Sequence, residues 1–191
     1  MLRTLPQTRD IGLAQRLAAI AIFTALTALT ARATIEIGAV PITLQVFAVL
    51  LSGLVLGARD GALAQIAYLS MIALNMPVDS RAIGAIAFAG PTAGYLVAFV
   101  PAAWLAGFMV QHGAQRVWQR WLAGIAATGV IYAIGMLTLK VITGMTWPEA
   151  WVAGVVPFLG LDLIKALIAA GLAESGRAAL KRWLPGEMPN G

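Results

Sequence analysis

Charged residues punctuate this chain, and the gaps between them are long and apolar. Leu17–Ala31 lies between Arg16 and Arg32, Ile37–Ala58 between Glu36 and Arg59, and Gly61–Val78 between Asp60 and Asp79. Ala82–Val110 follows, then Leu122–Leu139 between Arg120 and Lys140, and finally Trp151–Ala173, which contains Asp162 and Lys165. Runs such as Phe47-Ala48-Val49-Leu50-Leu51 and Leu167-Ile168-Ala169-Ala170 do not alternate with period two, so a membrane β-barrel is disfavoured. Lipid cannot satisfy open backbone, which leaves helices. The pattern predicts an all-α membrane protein of six transmembrane helices in one domain over residues 1–191, with spans near 13–32, 43–58, 61–77, 90–110, 121–140 and 151–174. The first segment reads as a retained helix. Its apolar run is long, and no small-x-small cleavage site with a polar start follows it.

Composition excludes most alternatives. Of 191 residues, 60% are hydrophobic and 11% charged, and the mean hydropathy is +0.86. A soluble domain is about a quarter charged, so this chain cannot cover a water-facing surface. At about 20 residues per span, six helices leave no room for a second, soluble domain. There is no cysteine and one histidine, which removes thiolate metal sites, cysteine nucleophiles and a histidine-based metal cluster or triad. No Walker A pattern occurs, so ATP hydrolysis by this chain is not expected. An enzyme is not expected either: one acid–base pair and one His112 make a poor catalytic inventory.

The formal net charge of +5 would suit nucleic acid in another context. Here the cations sit at span ends. With the N-terminus inside, Arg3, Arg9, Arg16, Arg59, Arg116, Arg120, Arg177, Lys181 and Arg182 face inward, while Arg32, Arg81 and Lys140 face outward. This bias predicts that both termini are cytoplasmic and that the cations meet anionic headgroups of the bilayer, not nucleic acid. Trp118, Trp121, Trp147 and Trp183 lie near span ends, as interfacial anchors do.

The candidate chemistry lies in the sixth segment. Asp162 and Lys165 interrupt the run Phe158-Leu159-Gly160-Leu161-Asp162-Leu163-Ile164-Lys165, at about 2.5–3.5 kcal/mol each near the bilayer centre. Three-residue spacing puts both on one helical face. Three readings stand: an ion pair that orients helices, a proton or ion relay in a stand-alone carrier, or a polar small-molecule pocket open to the outside. The pocket is the preferred one. Other polar groups cluster at the same level. Thr43 and Gln45 open the second span after Pro41, and Tyr95 follows Gly90-Pro91-Thr92 at the start of the fourth. Asn75, Asp79 and Arg81 occupy the loop between spans three and four, as solvated loop or as lid. Ala14, Ala18, Ala21 and Ala25 give the first helix a small-residue face that admits another helix, either within the chain or from a partner.

Three stretches, Val40-Pro41-Ile42-Thr43-Leu44-Gln45, Gly90-Pro91-Thr92-Ala93-Gly94-Tyr95 and Pro157-Phe158-Leu159-Gly160-Leu161-Asp162-Leu163-Ile164-Lys165, together resemble the BioY family, the biotin-specific S components of energy-coupling factor (ECF) transporters. Leu51–Gly57 and Tyr68 fit as well. The resemblance implies a six-helix fold in the bacterial cytoplasmic membrane that takes biotin from outside and delivers it inward. It also implies a transmembrane coupling protein that docks on the first helix and a pair of ABC-type ATPases, so that ATP is used only by partner subunits and no cofactor is required. A homo-oligomer stays open. On this reading Asp162 accepts from the ureido N–H groups, and Lys165 neutralises Asp162 and donates to the ureido carbonyl or the carboxylate. Gln45, Thr43, Tyr95, Tyr68, Arg81 and Asn75 complete the candidate substrate set. One departure stands out: the family follows the Pro-Val after span three with small and aromatic residues, whereas Pro77-Val78 here leads to Asp79-Ser80-Arg81.

Overall fold

The computed structural model describes residues 12–114 and 116–183; Arg3 and Arg9 of the inward-facing cations lie outside them. The order is α1 (Leu13–Ala31), a β-hairpin of β1 (Thr34–Ile35) and β2 (Ile42–Thr43), α2 (Gln45–Leu56), α3 (Ala58–Ala73), a 3-10 helix (Gly84–Ala89), α4 (Ala93–Gln111), α5 (Val117–Thr143), α6 (Trp147–Gly154) and α7 (Leu159–Trp183). The fold is mostly helical. Among the described residues, three helices, α1, α4 and α5, are long and apolar enough to cross a membrane; α6 and α7, bent by 49° at their junction, make a fourth if taken as one span. α2, with 12 residues, reaches about 18 Å, well short of a 30 Å hydrocarbon core.

Two local features differ from the expectation of plain helices. The residues before α2 form an antiparallel hairpin with Thr34 opposite Thr43 and Ile35 opposite Ile42. β-Branched side chains favour that extended backbone. Pro41 therefore precedes a short strand, and the Thr43 hydroxyl accepts from the Gln45 amide at 3.2 Å. The second difference is the sixth segment, expected as one helix over 151–174 and here broken after Gly154. Pro157 has no amide proton, and it disfavours helical backbone at Val156. The chain restarts as α7 at Leu159.

α4 is the central element, packed on α2, α3 and α5, while α7 packs on α2 and α5. The core is built from small residues, with Ala48, Ala64, Ala98, Ala102, Ala103, Ala106, Ala123 and Ala127 buried beside Leu50, Tyr68, Phe99 and Ile131. Such residues let helix backbones approach closely where lipid gives little hydrophobic drive. Gly107 is the sharpest helix–helix case, since a Cβ there would lie 2.2 Å from the Ala58 amide nitrogen, and Gly53 is close behind, at 2.3 Å from the Ala103 carbonyl oxygen.

α1 stands apart. It packs on α2 and α3 and buries Thr24, Thr27 and Ala31. The Thr24 hydroxyl donates to the Ala64 carbonyl at 3.0 Å, and Gln65 donates to Thr27 at 3.3 Å and Ser52 at 3.0 Å. Toward the other end, the Arg16 Nε donates to buried Asp60 at 2.6 Å. The opposite face is exposed and apolar. It carries Ala14, Ala18, Ala21 and Ala25 together with Leu13, Leu17, Ile22 and Leu29.

Candidate ligand-binding site

The break between α6 and α7 places the charged pair. Asp162 lies in the first turn of α7, its amide donating to the Phe158 carbonyl at 2.8 Å. The carboxylate thus sits near a helix N-terminus, where the helix dipole favours negative charge. The pair occupies the end of a helix, not the middle of a continuous span, because the chain turns at residues 155–158.

Asp162 is held by two side-chain donors. Lys165 Nζ donates to Oδ1 at 2.6 Å and the Tyr132 hydroxyl, from α5, donates to Oδ2 at 2.7 Å. Lys165 also donates to the Thr43 carbonyl of β2 at 2.7 Å. Both charged residues are buried, Asp162 at 3% and Lys165 at 8% exposure. Two of the three ammonium N–H groups have partners among the described residues, which leaves one. This floor is electrically neutral and ties three elements together.

Around it, aromatic and amide groups are fixed by their own bonds. Tyr95 on α4 donates to the Gly154 carbonyl at 2.8 Å. A Cβ at Gly135 would lie 2.4 Å from the Tyr95 ring, and one at Gly154 would lie 2.2 Å from its hydroxyl, so both glycines are required for that ring to seat. Gln45 Nε2 donates to the Tyr68 hydroxyl at 2.6 Å, and Tyr68 donates to the Val78 carbonyl of the α3–α4 loop at 3.3 Å. The loop is ordered by Asp79, buried at 2%, which accepts from the amides of Arg81 at 3.1 Å and Gly84 at 2.8 Å. Arg81 reaches to Glu36 in the hairpin, Nε to Oε1 at 3.2 Å and Nη2 to Oε2 at 2.8 Å. This guanidinium holds the Glu36 carboxyl below its usual range. Arg32, at the end of α1, donates to the Pro77 carbonyl and tethers the same loop.

A cavity open to solvent at its mouth lies among these groups. Its walls are mainly apolar, with Val46, Leu96, Phe99, Ile131 and Phe158, and its polar groups converge from separate elements. A mainly apolar pocket with a few convergent polar groups suits a small organic ligand that carries hydrogen-bonding groups. Among the described residues, no cluster of three or more His, Cys, Asp or Glu side chains is placed to hold a metal ion.

Of the residues singled out from sequence, Asp162, Lys165, Gln45, Thr43, Tyr95 and Arg81 all line this cavity. Tyr68 does not; it orients Gln45 through the hydrogen bond above. Asn75 does not line it either. It is exposed and its side-chain oxygen accepts from the Ala85 amide at 3.1 Å, a loop-shaping contact. The sequence reading missed Tyr132, the second donor to Asp162. The available signal was a phenol in the middle of an apolar span, since a buried tyrosine hydroxyl needs a partner. It also missed Glu36 as the counter-ion of Arg81 and Asp79 as the anchor of the loop.

The comparisons with known proteins agree with one another. The family model described as BioY matches residues 3–182. The chain is 40% identical over 162 residues to a probable biotin transporter BioY of Pyrococcus horikoshii, covering 84% of this chain and 95% of that one. It is 39% identical to the biotin transporter BioY of Thermotoga maritima, covering 80% and 89%. Its fold is similar to that of the S-component for biotin from an ECF-type ABC transporter, with a TM-score of 0.80 at 24% identity over 86% of this chain and 92% of the other. The extent of the family match and the identity to these relatives show that the chain belongs to the BioY family.

Proposed function

We propose that this protein captures biotin from the outer side of a bacterial cytoplasmic membrane and hands it inward as the S component of an ECF transporter. The observation that carries the reading is the neutral, buried floor of Asp162, Lys165 and Tyr132 beneath an otherwise apolar cavity. Biotin presents two ureido N–H donors and a ureido carbonyl on an apolar bicycle. Asp162 accepts from the N–H groups, and its ionised form makes those bonds stronger than neutral ones. The ammonium N–H of Lys165 that has no protein partner donates to the ureido carbonyl. The bicycle packs on Phe99, Phe158 and Ile131, and Gln45, Thr43 and Tyr95 bound the rest of the pocket. The names of the relatives support the choice of ligand.

In this reading the chain crosses the bilayer six times. α2 and α3 serve as short spans, α6 with α7 serves as one bent span, and both termini are cytoplasmic, in keeping with the charge bias. The exposed small-residue face of α1, with Ala14, Ala18, Ala21 and Ala25, receives the transmembrane coupling protein, and ABC-type ATPases bound to that protein supply the energy. The test is titration of the purified protein with biotin, with riboflavin and thiamine as controls. Saturable binding of biotin alone is expected, and D162N should weaken it at least about tenfold without loss of fold. Wild-type affinity in D162N would remove Asp162 from the site.

A further inference from the structure

Four charged side chains line the cavity: Asp79, Arg81, Asp162 and Lys165. Three of them are satisfied internally. Asp162 and Lys165 neutralise each other on the floor, and Asp79 is occupied by the Arg81 and Gly84 amides. Arg81 differs: it also lies in the field of Asp79, but the carboxylate that its fork grips, Glu36, does not line the cavity; the Glu36 side chain is 51% exposed and that of Arg81 32%. Two further contacts to the Gly38 and Ala39 carbonyls, at 3.5 and 3.4 Å, are long. Nη1 of Arg81 has no hydrogen-bond partner among the described residues. The fork is thus a strong, rigid anion receptor held by a solvent-facing carboxylate, and exposed pairs of this kind are worth little.

We infer that Arg81 is the receptor for the carboxylate of the ligand, and that the arriving carboxylate exchanges with Glu36 for the guanidinium. The inference rests on the biotin reading above and assigns the end of the ligand distal to the ureido ring. It places the tail at the mouth of the cavity, under the hairpin and the α3–α4 loop, and the ring at the Asp162 floor. Exchange conserves one bidentate pair and releases Glu36 to solvent. Glu36 therefore acts as an internal competitor that selects for ligands bearing a free anion: a neutral tail cannot replace the pair it must pass.

The experiment is calorimetric titration of the purified full-length chain with biotin and with biotin amide, which keeps the ureido ring and loses the charge. Wild type should prefer the acid by about two- to fivefold, since one partly exposed pair replaces another. R81Q should bring that acid-to-amide preference to about one, and R81K, which keeps the charge without the fork, should lie between. E36Q should raise biotin affinity about two- to fivefold, the range set by loss of an exposed competing pair, with amide affinity unchanged. Equal loss of acid and amide in R81Q would reduce Arg81 to a loop-holding role and overturn the inference. Equal binding of both by wild type would do the same while leaving the biotin reading intact. Binding of neither by wild type would instead remove the biotin reading, and the carboxylate assignment with it.

Discussion

The cavity is bracketed by two ion pairs of opposite character. On the floor, Lys165 and Asp162 are buried, three residues apart on one helix, and bonded onward to Tyr132 and the Thr43 carbonyl. At the mouth, Arg81 and Glu36 are 45 residues apart, partly exposed, and join two loops. Both have short, well-directed hydrogen bonds, so bond length does not distinguish them. Burial does. A buried pair that loses one member leaves an uncompensated charge where nothing can solvate it, whereas an exposed pair that opens is rehydrated on both sides. The floor is consequently fixed in place, while the mouth pair can open without stranding a charge.

Substitutions that make the two pairs differ should do so in a defined order. Lys165→Met strands the Asp162 carboxylate and should cost about 3–5 kcal/mol of stability, measured by denaturation in detergent, with loss of ligand binding. A cost near zero would mean that water reaches Asp162 and that the floor is not buried. Gly154→Ala pushes a methyl group onto the Tyr95 hydroxyl and should destabilise by about 1–3 kcal/mol, as overpacking does; a neutral effect would mean that the ring moves freely. Tyr132→Phe removes one donor to a charged acceptor while Lys165 still neutralises it. Biotin affinity should fall about three- to tenfold with the fold intact, and an unchanged affinity would take Tyr132 out of the site.

The mouth pair should give the smallest effect. Arg81 lowers the Glu36 carboxyl from its ordinary value. Its stabilising contribution is therefore complete above the unfolded carboxylate value of about 4.3 and fades only as pH falls through the lower folded value. The difference in melting temperature between wild type and Glu36→Gln should be small and constant from about pH 8 to 5, then shrink under more acid conditions. A difference that changes within that neutral window would show that some other group controls the mouth.

Much of the helical order was legible because apolar runs bounded by charge leave little choice in lipid. The starts of α4 and α5 and the extent of α1 follow the charge and Gly-Pro punctuation. The break before α7 was less visible: a single Pro157 after Gly154 in an apolar stretch is compatible with a kinked or a broken helix, and the Tyr95–Gly154 hydrogen bond that accompanies the break joins residues 59 apart. The hairpin before α2 was hidden because four residues of strand carry no periodicity. For the site, Asp162 and Lys165 announce themselves by their cost in lipid, and three-residue spacing fixes their mutual contact. Tyr132 and Glu36 reach their partners across 30 and 45 residues of chain, contacts that depend on how α5 lies against α7 and how two loops meet. Asn75 was drawn in by its neighbourhood on the same loop, yet positive φ and the Ala85 amide make it a turn residue.

The most direct measurement is a crystal structure of the protein soaked with biotin. The account predicts the ureido ring on the floor with its N–H groups within hydrogen-bonding distance of Asp162, and the carboxylate at Arg81 with Glu36 turned away. Biotin bound elsewhere, with the Asp162–Lys165–Tyr132 cluster closed off from it, would contradict the account.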